Sequence, residues 1–513
     1  MRSKIHAALA AGLVLAGVAA IPTGGGFTSE DARSHLTKAE VVRASEAPAE
    51  RLSDVPCVDG KAGPFACEGV DLLGFVPDDE MVTVDTDVLT GCALDVVLGG
   101  DRNALVEDPT CLNPPGLSDI WGWTSEDGDE YVVFGKTNGT AFYRVTDPTA
   151  PEYLGEVPNA SGQLLWHDIK VFEDNAYIVS ESVAHGVKVF DLTRLEDLAE
   201  SPLPYNPLDA DNVWFPEDQV FDLSNHNVVI DEASGTLYLV GGNLGIVLSG
   251  ACSGGLYAFD LNADALNPPF AGCFEADQNA YVHDAQCATY VGPDADHEGK
   301  EICVTSSEDF VAVVDVTDKA NMVELSRTDY PSVAYAHQGW MSEDMRFYYH
   351  GDELDEQSSP LLARTRTIVV DMTDLDAIRF AGVHTHVNKS IDHNMYTRDG
   401  LLFQSNYTSG LRVLDTAPSY DEADPAFLEE VAFFDTFPDD DGSEQPVFAG
   451  TWSNYPYFAS GTIAVTGIGE GLFLLRLQDD VSSALLDEVA PVAGENLPTQ
   501  SRGVGLAKGR AGR

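Results

Sequence analysis

Three observations predict an all-β fold, a seven-bladed β-propeller closed by an N-terminal strand that completes the last blade. Short segments rich in β-branched and aromatic residues recur at intervals of about fifty residues, a period that points to propellers or solenoids. Each unit holds up to four of them, bounded by Gly, Asp and Pro. No long helical periodicity interrupts the series, which argues against a TIM barrel or an α-solenoid.

The elements follow in order. Arg2 and Lys4 precede an apolar run from Ile5 to Ala20 that ends in small residues, so residues 1–20 read as a secretory signal peptide. The run is shorter than the roughly 20 apolar residues that span a bilayer. Residues 21–56 read as a flexible leader and 57–117 as a disulfide-bearing segment. Residues 118–477 read as the propeller, and 478–513 as a low-complexity tail.

Within the propeller, the first segment of each unit centres on a polar pair. In chain order these are Asp119-Ile120, His167-Asp168, His226-Asn227, His283-Asp284, His337-Gln338, His393-Asn394 and a degenerate Thr451-Trp452. Second segments such as Tyr177-Ile178-Val179-Ser180 follow. Third segments include Val311-Ala312-Val313-Val314-Asp315. A Thr-Asp-Pro turn, Thr146 to Pro148, then leads into a fourth, Glu152 to Pro158. The last unit stops at its third segment, Leu472 to Leu477. Asp71-Leu72-Leu73-Gly74-Phe75-Val76-Pro77 matches Glu152-Tyr153-Leu154-Gly155-Glu156-Val157-Pro158. That early stretch is therefore expected to supply the missing outer strand, leaving no open sheet edge.

Composition narrows the function classes. Lys+Arg 28 against Asp+Glu 84 gives a formal net charge of −56. Such a surface repels a phosphate backbone, so nucleic acid is excluded as a partner. Export turns the eight cysteines into expected disulfides, with sequence-local pairing Cys57/Cys67, Cys92/Cys111, Cys252/Cys273 and Cys287/Cys303. Spacing alone does not fix that connectivity. The mature chain carries no apolar run long enough to span a membrane, and a monomer is expected. No Walker loop, GxSxG elbow or HExxH helix occurs.

The stretches CVDGKAGPFACEGVDLLGFVP (57–77), HQGWMSEDMRFYYHGDELDE (337–356), VAVVDVTD (311–318) and Asp392 to Asp415, which includes SNYTSGLRVLD, resemble those of LVIVD-repeat proteins, specifically the choice-of-anchor B family of exported bacterial β-propellers. The resemblance covers roughly residues 57 to 477. It implies a secreted, periplasmic or cell-surface protein and brings no settled activity with it.

The recurring histidine is the sharpest chemical feature. His167, His226, His283, His337 and His393 hold the same place in five of the seven units. A propeller's first strands line its central channel, so these imidazoles are expected at one level, where several together can hold a divalent transition metal. Glu308, Asp352 and Glu353, and also Glu181, follow second segments and are weaker candidates for the same mouth. Repeat proteins also reuse a histidine simply to bond a neighbouring carbonyl. Calcium is the lesser alternative, on the acidic loops 127–130, 294–296 and 439–444. Two functional readings follow. The first is an exported binding or scaffold protein that engages an extracellular protein or polymer through one face of the ring. The alternative is a metalloenzyme, of hydrolase or oxygenase type, built on the histidines.

Overall fold

A computed structural model of the chain describes residues 47–81, 116–160, 164–182, 185–202, 205–215, 225–242, 254–275, 281–359, 362, 364–420, 428–438, 446–479 and 481. Seven antiparallel sheets form the seven blades of a propeller. The first strands of the blades are Leu117–Thr124, His167–Phe172, Asn227–Asp231, Asp284–Thr289, Ala336–Met341, Met395–Arg398 and Thr451–Tyr455. Each neighbours the next around the ring, and the seventh touches the first, so the ring is closed. Strands buried on both faces explain the near-continuous apolar runs: every residue of Phe347–Asp352 and Ile463–Gly467 is buried.

Closure occurs where the sequence places it. Val70–Pro77 pairs with Gly471–Leu477 and completes blade 7. The physical signature of this strand is a β-bulge. In blade 1, Phe142 faces Gly155 while Tyr143 faces Tyr153, which leaves Leu154 as the extra residue. In blade 7, Leu474 faces Gly74 while Leu475 faces Leu72, which leaves Leu73 extra. The same irregularity recurs in blades 3, 4, 5 and 6. The glycine beside the bulge is where the next blade's turn docks. A Cβ on Gly74 would lie 2.0 Å from the Pro148 carbonyl oxygen, and one on Gly272 would lie 1.7 Å from that of Lys319. The match between the two Leu-Gly sequences is thus a match of blade-to-blade contacts.

The N-terminal segment does more than close the ring. Phe65–Glu68 extends blade 6 by pairing with Glu429–Phe434, and Lys61–Ala62 pairs onto it in turn. Leu52–Val55, which the sequence assigns to the leader, is a strand on the outer edge of blade 7. Phe65, Phe75, Phe434 and Phe473 pack ring against ring between the two blades.

Disulfides link Cys57 to Cys67 and Cys287 to Cys303, as the local pairing predicts. Cys273 is also disulfide-bonded. Cys92, Cys111 and Cys252 lie outside the described residues, as do the signal peptide, most of the leader, nearly all of the tail and the 439–444 loop. Among the described residues no helix is long and apolar enough to cross a membrane.

Candidate metal centre at the histidine mouth

Each first strand runs from the mouth where the repeated histidine sits to the opposite end of the channel. The second strand returns to the histidine mouth, since Ser180 pairs with His167 and Asp352 with Ala336. The loop after the second strand therefore carries its acidic residues to the histidines, by antiparallel register alone.

Four of the five repeated histidines form one arc. Centroid distances are 4.4 Å for each of the pairs His226–His283, His283–His337 and His337–His393, in consecutive blades. The imidazoles stack side by side along the ring and do not converge on a single axial point. His167 departs from the arc. Its Nε2 lies 2.6 Å from Asn159 Oδ1 and its Nδ1 3.1 Å from the Leu165 carbonyl, with His185 packed edge-on at 5.8 Å. Burial pulls its pKa down to about 4, so it is a neutral ring in a structural setting.

Nδ1 of His283 and of His393 points along the ring. His283 Nδ1 lies 3.0 Å from the His337 carbonyl, and His393 Nδ1 2.5 Å from the Trp452 carbonyl. A carbonyl only accepts, so Nδ1 carries the proton in both. His226 Nδ1 instead meets the Glu181 carboxylate at 2.6 Å. In His393 this tautomer directs the Nε2 lone pair at Glu353, 3.6 Å from Oε1, while His337 Nε2 is 3.8 Å from Oε2 of the same carboxylate. Two acceptors, a ring lone pair and a carboxylate, face one another, and a cation between them satisfies both.

His337, Glu353 and His393, all buried, offer ligand atoms within 4.8 Å of one another. Two ligands on a tetrahedral ion with bonds of about 2.1 Å lie about 3.4 Å apart. The observed separations need only a small inward movement. Tyr407 donates its hydroxyl to Glu353 Oε1 at 2.6 Å. Burial, with Glu353 beside it, pushes that phenol well above its ordinary value and keeps it a donor. Such a partner fixes the orientation of a ligating carboxylate. Tyr407, Trp452, Phe448, Trp166, Leu165, Ile391 and Ile468 form a hydrophobic cluster beside the centre. Trp340 and Tyr396 lie at the opposite end of the channel.

The other candidates play different parts. Asp352 accepts from the Tyr330 hydroxyl and from the amides of Ala334, Tyr335 and Leu354, so it builds the turn that presents Glu353. Glu308 exchanges backbone hydrogen bonds with Ala336. The 127–130 and 294–296 loops are turns whose carboxylates are engaged locally: Asp129 accepts from Thr146, and Asp294 from the amides of Asp296 and Leu375.

One feature was invisible in the sequence. Beneath the histidines, Asp119, Asp168 and Asp284 surround Lys170. Lys170 Nζ is 2.6 Å from Asp168 Oδ1 and 4.7 Å from the Trp121 ring centroid. Asn394 donates to Asp119 Oδ1 and Trp452 Nε1 to Asp119 Oδ2, which ties this layer to the mouth above. Burial, then the neighbouring Asp168, raises Asp119 to about 6. Burial raises Asp284 to about 7 against the pull of Lys170. At the far end Trp121, Lys170, Glu232, Trp340 and Tyr396 line a pocket.

No protein-family model and no curated protein matches this chain.

Proposed function

We propose that this chain is an exported propeller of the LVIVD-repeat, choice-of-anchor B kind that binds a divalent transition ion at His337, Glu353 and His393, and that presents this mouth of the ring to an extracellular protein or polymer. A β-propeller fold fits a binding or scaffold role in general, because its loops form broad surfaces on a rigid ring. The observation that carries the finer reading is the placement of one buried carboxylate against two imidazole nitrogens. Two nitrogens and one carboxylate suit Zn(II), Fe(II) or Mn(II) better than calcium. The disulfides suit an oxidising compartment.

A metalloenzyme is the second reading, favoured by the donor set itself. Two histidines and one carboxylate are the protein ligands of non-haem iron oxygenases and of several catalytic zinc sites, where water or substrate completes the coordination. Metal would then activate water or oxygen.

The test is elemental analysis of protein purified without a polyhistidine tag, beside His337→Ala/His393→Ala and Glu353→Gln variants. Near-stoichiometric transition metal is expected in the parent and is lost in the variants. Parent protein that takes up no Zn(II), Mn(II) or Fe(II) near neutral pH rules the centre out and leaves the imidazole arc as packing. Pull-down from the native secretome, with and without chelator, tests the binding role: capture that is saturable and chelator-sensitive is expected.

A further inference from the structure

A second cluster lies close by in the chain and has a different chemistry. The second strand of blade 5 ends at Asp352 and leads, through Glu353 and Leu354, into a single helical turn, Asp355–Ser358. The segment entering blade 6 brings Asp392, the residue before His393, to the same place. Asp355, Glu356 and Asp392 are 1%, 7% and 1% exposed, and each offers a carboxylate oxygen within 4.8 Å of the others.

Donors account for only part of this set. Arg366 holds Asp355 Oδ2, and the Arg366 amide donates to Glu356 Oε1 at 3.2 Å. Asp355 Oδ1, Glu356 Oε2 and both oxygens of Asp392 are buried and accept no hydrogen bond from another residue. The contrast with Asp352 is direct. That carboxylate, in the same turn, accepts from one hydroxyl and three amides. The fold is thus able to satisfy a buried carboxylate here, and at Asp392 it supplies no donor from another residue. Backbone packing keeps the space for it, since a Cβ on Gly351 would lie 2.1 Å from Asp392 Oδ2. These three buried carboxylates, with Asp352 beside them, face the one guanidinium of Arg366, and a bare buried carboxylate is costly.

We propose that Asp355, Glu356 and Asp392 bind a buried hard divalent cation, calcium. The donor set is all oxygen, which selects against the borderline ions that imidazole prefers. The bound ion joins the Asp355–Ser358 turn of blade 5 to the strand entry of blade 6. It thereby fixes Glu353 and His393, which lie within two residues of its ligands in the chain. The site stands independently of the transition-metal centre, because it shares no ligand with it.

The experiment uses the full mature chain, stripped with chelator and titrated with CaCl2 at neutral pH by calorimetry and by thermal unfolding. One calcium site is expected, with a rise in Tm that Asp392→Asn and Glu356→Gln each abolish, weakening calcium by about tenfold or more. Asp392→Asn removes an uncompensated buried charge, so its calcium-free Tm is expected at or above that of the stripped parent. The His337→Ala/His393→Ala protein is expected to keep the calcium response while losing transition metal, which separates the two sites. No heat and no Tm shift in the parent at several millimolar CaCl2 would overturn the proposal. So would a shift that persists unchanged in both carboxylate variants, since calcium would then act on surface acidic loops. A parent titration without heat or Tm shift overturns the proposal even where a variant fails to fold.

Discussion

The two ends of the first strands are built from the same repeats and do different work. At one end His226, His283, His337 and His393 stand ring against ring, each a member of the same repeat position. Three residues further along those strands the equivalent positions are Val229, Gln286, Trp340 and Tyr396, which share no chemistry, and Lys170 stands alone among carboxylates. Repetition fixes where a side chain sits. What it does there depends on neighbours supplied from elsewhere, Glu353 and Tyr407 at one end, Asp119 and Asp284 at the other.

The largest expected effect removes both ends together. Deleting residues 57–77 takes away the fourth strand of blade 7, the added strands of blade 6 and the disulfide Cys57–Cys67. The buried partners Leu472, Phe473 and Leu474 would be left facing water. Loss of cooperative folding, read by near-ultraviolet circular dichroism, is expected; an unchanged Tm would mean that the ring closes without this segment.

Next in size is a change confined to the far end. Lys170→Met leaves Asp119, Asp168 and Asp284 without their cation, and breaking a buried pair of this kind costs about 3–5 kcal/mol. Chemical denaturation should show that loss, and Lys170→Met/Asp168→Asn should recover part of it. Transition-metal content per folded molecule is expected to stay at the parent level. A parallel loss of metal would show that the two ends are coupled through Asn394, Asp119 and Trp452.

Much of this was legible in the sequence, for identifiable reasons. Turn chemistry and β-rich segments marked the blades. The Leu-Gly match of 71–77 with 152–158 marked the closing strand, because a bulge and a docking glycine must recur together. The Lys61–Ala62 and Phe65–Glu68 strands were not legible, since two and four residues are too short to show a period. Nor was Leu52–Val55, whose pattern has no buried residue. At the site, His337, Glu353 and His393 all stood among the candidates. Spacing gave no means of separating them from His167, which is diverted by Asn159 and the Leu165 carbonyl. Tyr407 and Asp392 lay within the stretches that carry the family resemblance, but only the fold brings them to their partners.

Acidity reads the two ends with opposite signs. Asp284 and Asp119 have pKa values raised from 3.8 to about 7 and about 6, facing Lys170 and Asp168. A carboxyl raised in the fold stabilises it most when protonated, so this contribution is present below about pH 4 and is lost as pH rises through 6 to 7. His167, lowered from 6.5 to about 4, does the reverse: its contribution is present above pH 6.5 and is lost as pH falls toward 4. Asp284→Asn is therefore expected to flatten the fall in Tm between pH 5 and about 8, while leaving the acid limb unchanged. An unaltered alkaline slope would assign it to other raised carboxyls, Asp231 and Glu232 first.

The smallest expected effect sharpens the histidine mouth alone. Tyr407→Phe removes one hydrogen bond, the 2.6 Å contact to Glu353 Oε1, and keeps the ring that packs on His393 at 4.9 Å and Phe448 at 5.4 Å. Loss of an outer partner of a ligating carboxylate lowers metal affinity by about 10–100-fold. A weakening near the lower end is expected in competition with a chromogenic chelator, because Oε2 still faces His337. The metal-free protein should lose about 1–3 kcal/mol of stability, because the buried Glu353 carboxylate is left without its hydroxyl donor. Equal metal affinity in parent and variant would place Glu353 outside the coordination sphere. An affinity loss in Glu353→Gln that far exceeds the one in Tyr407→Phe would instead rank the carboxylate as ligand and the phenol as the group that orients it.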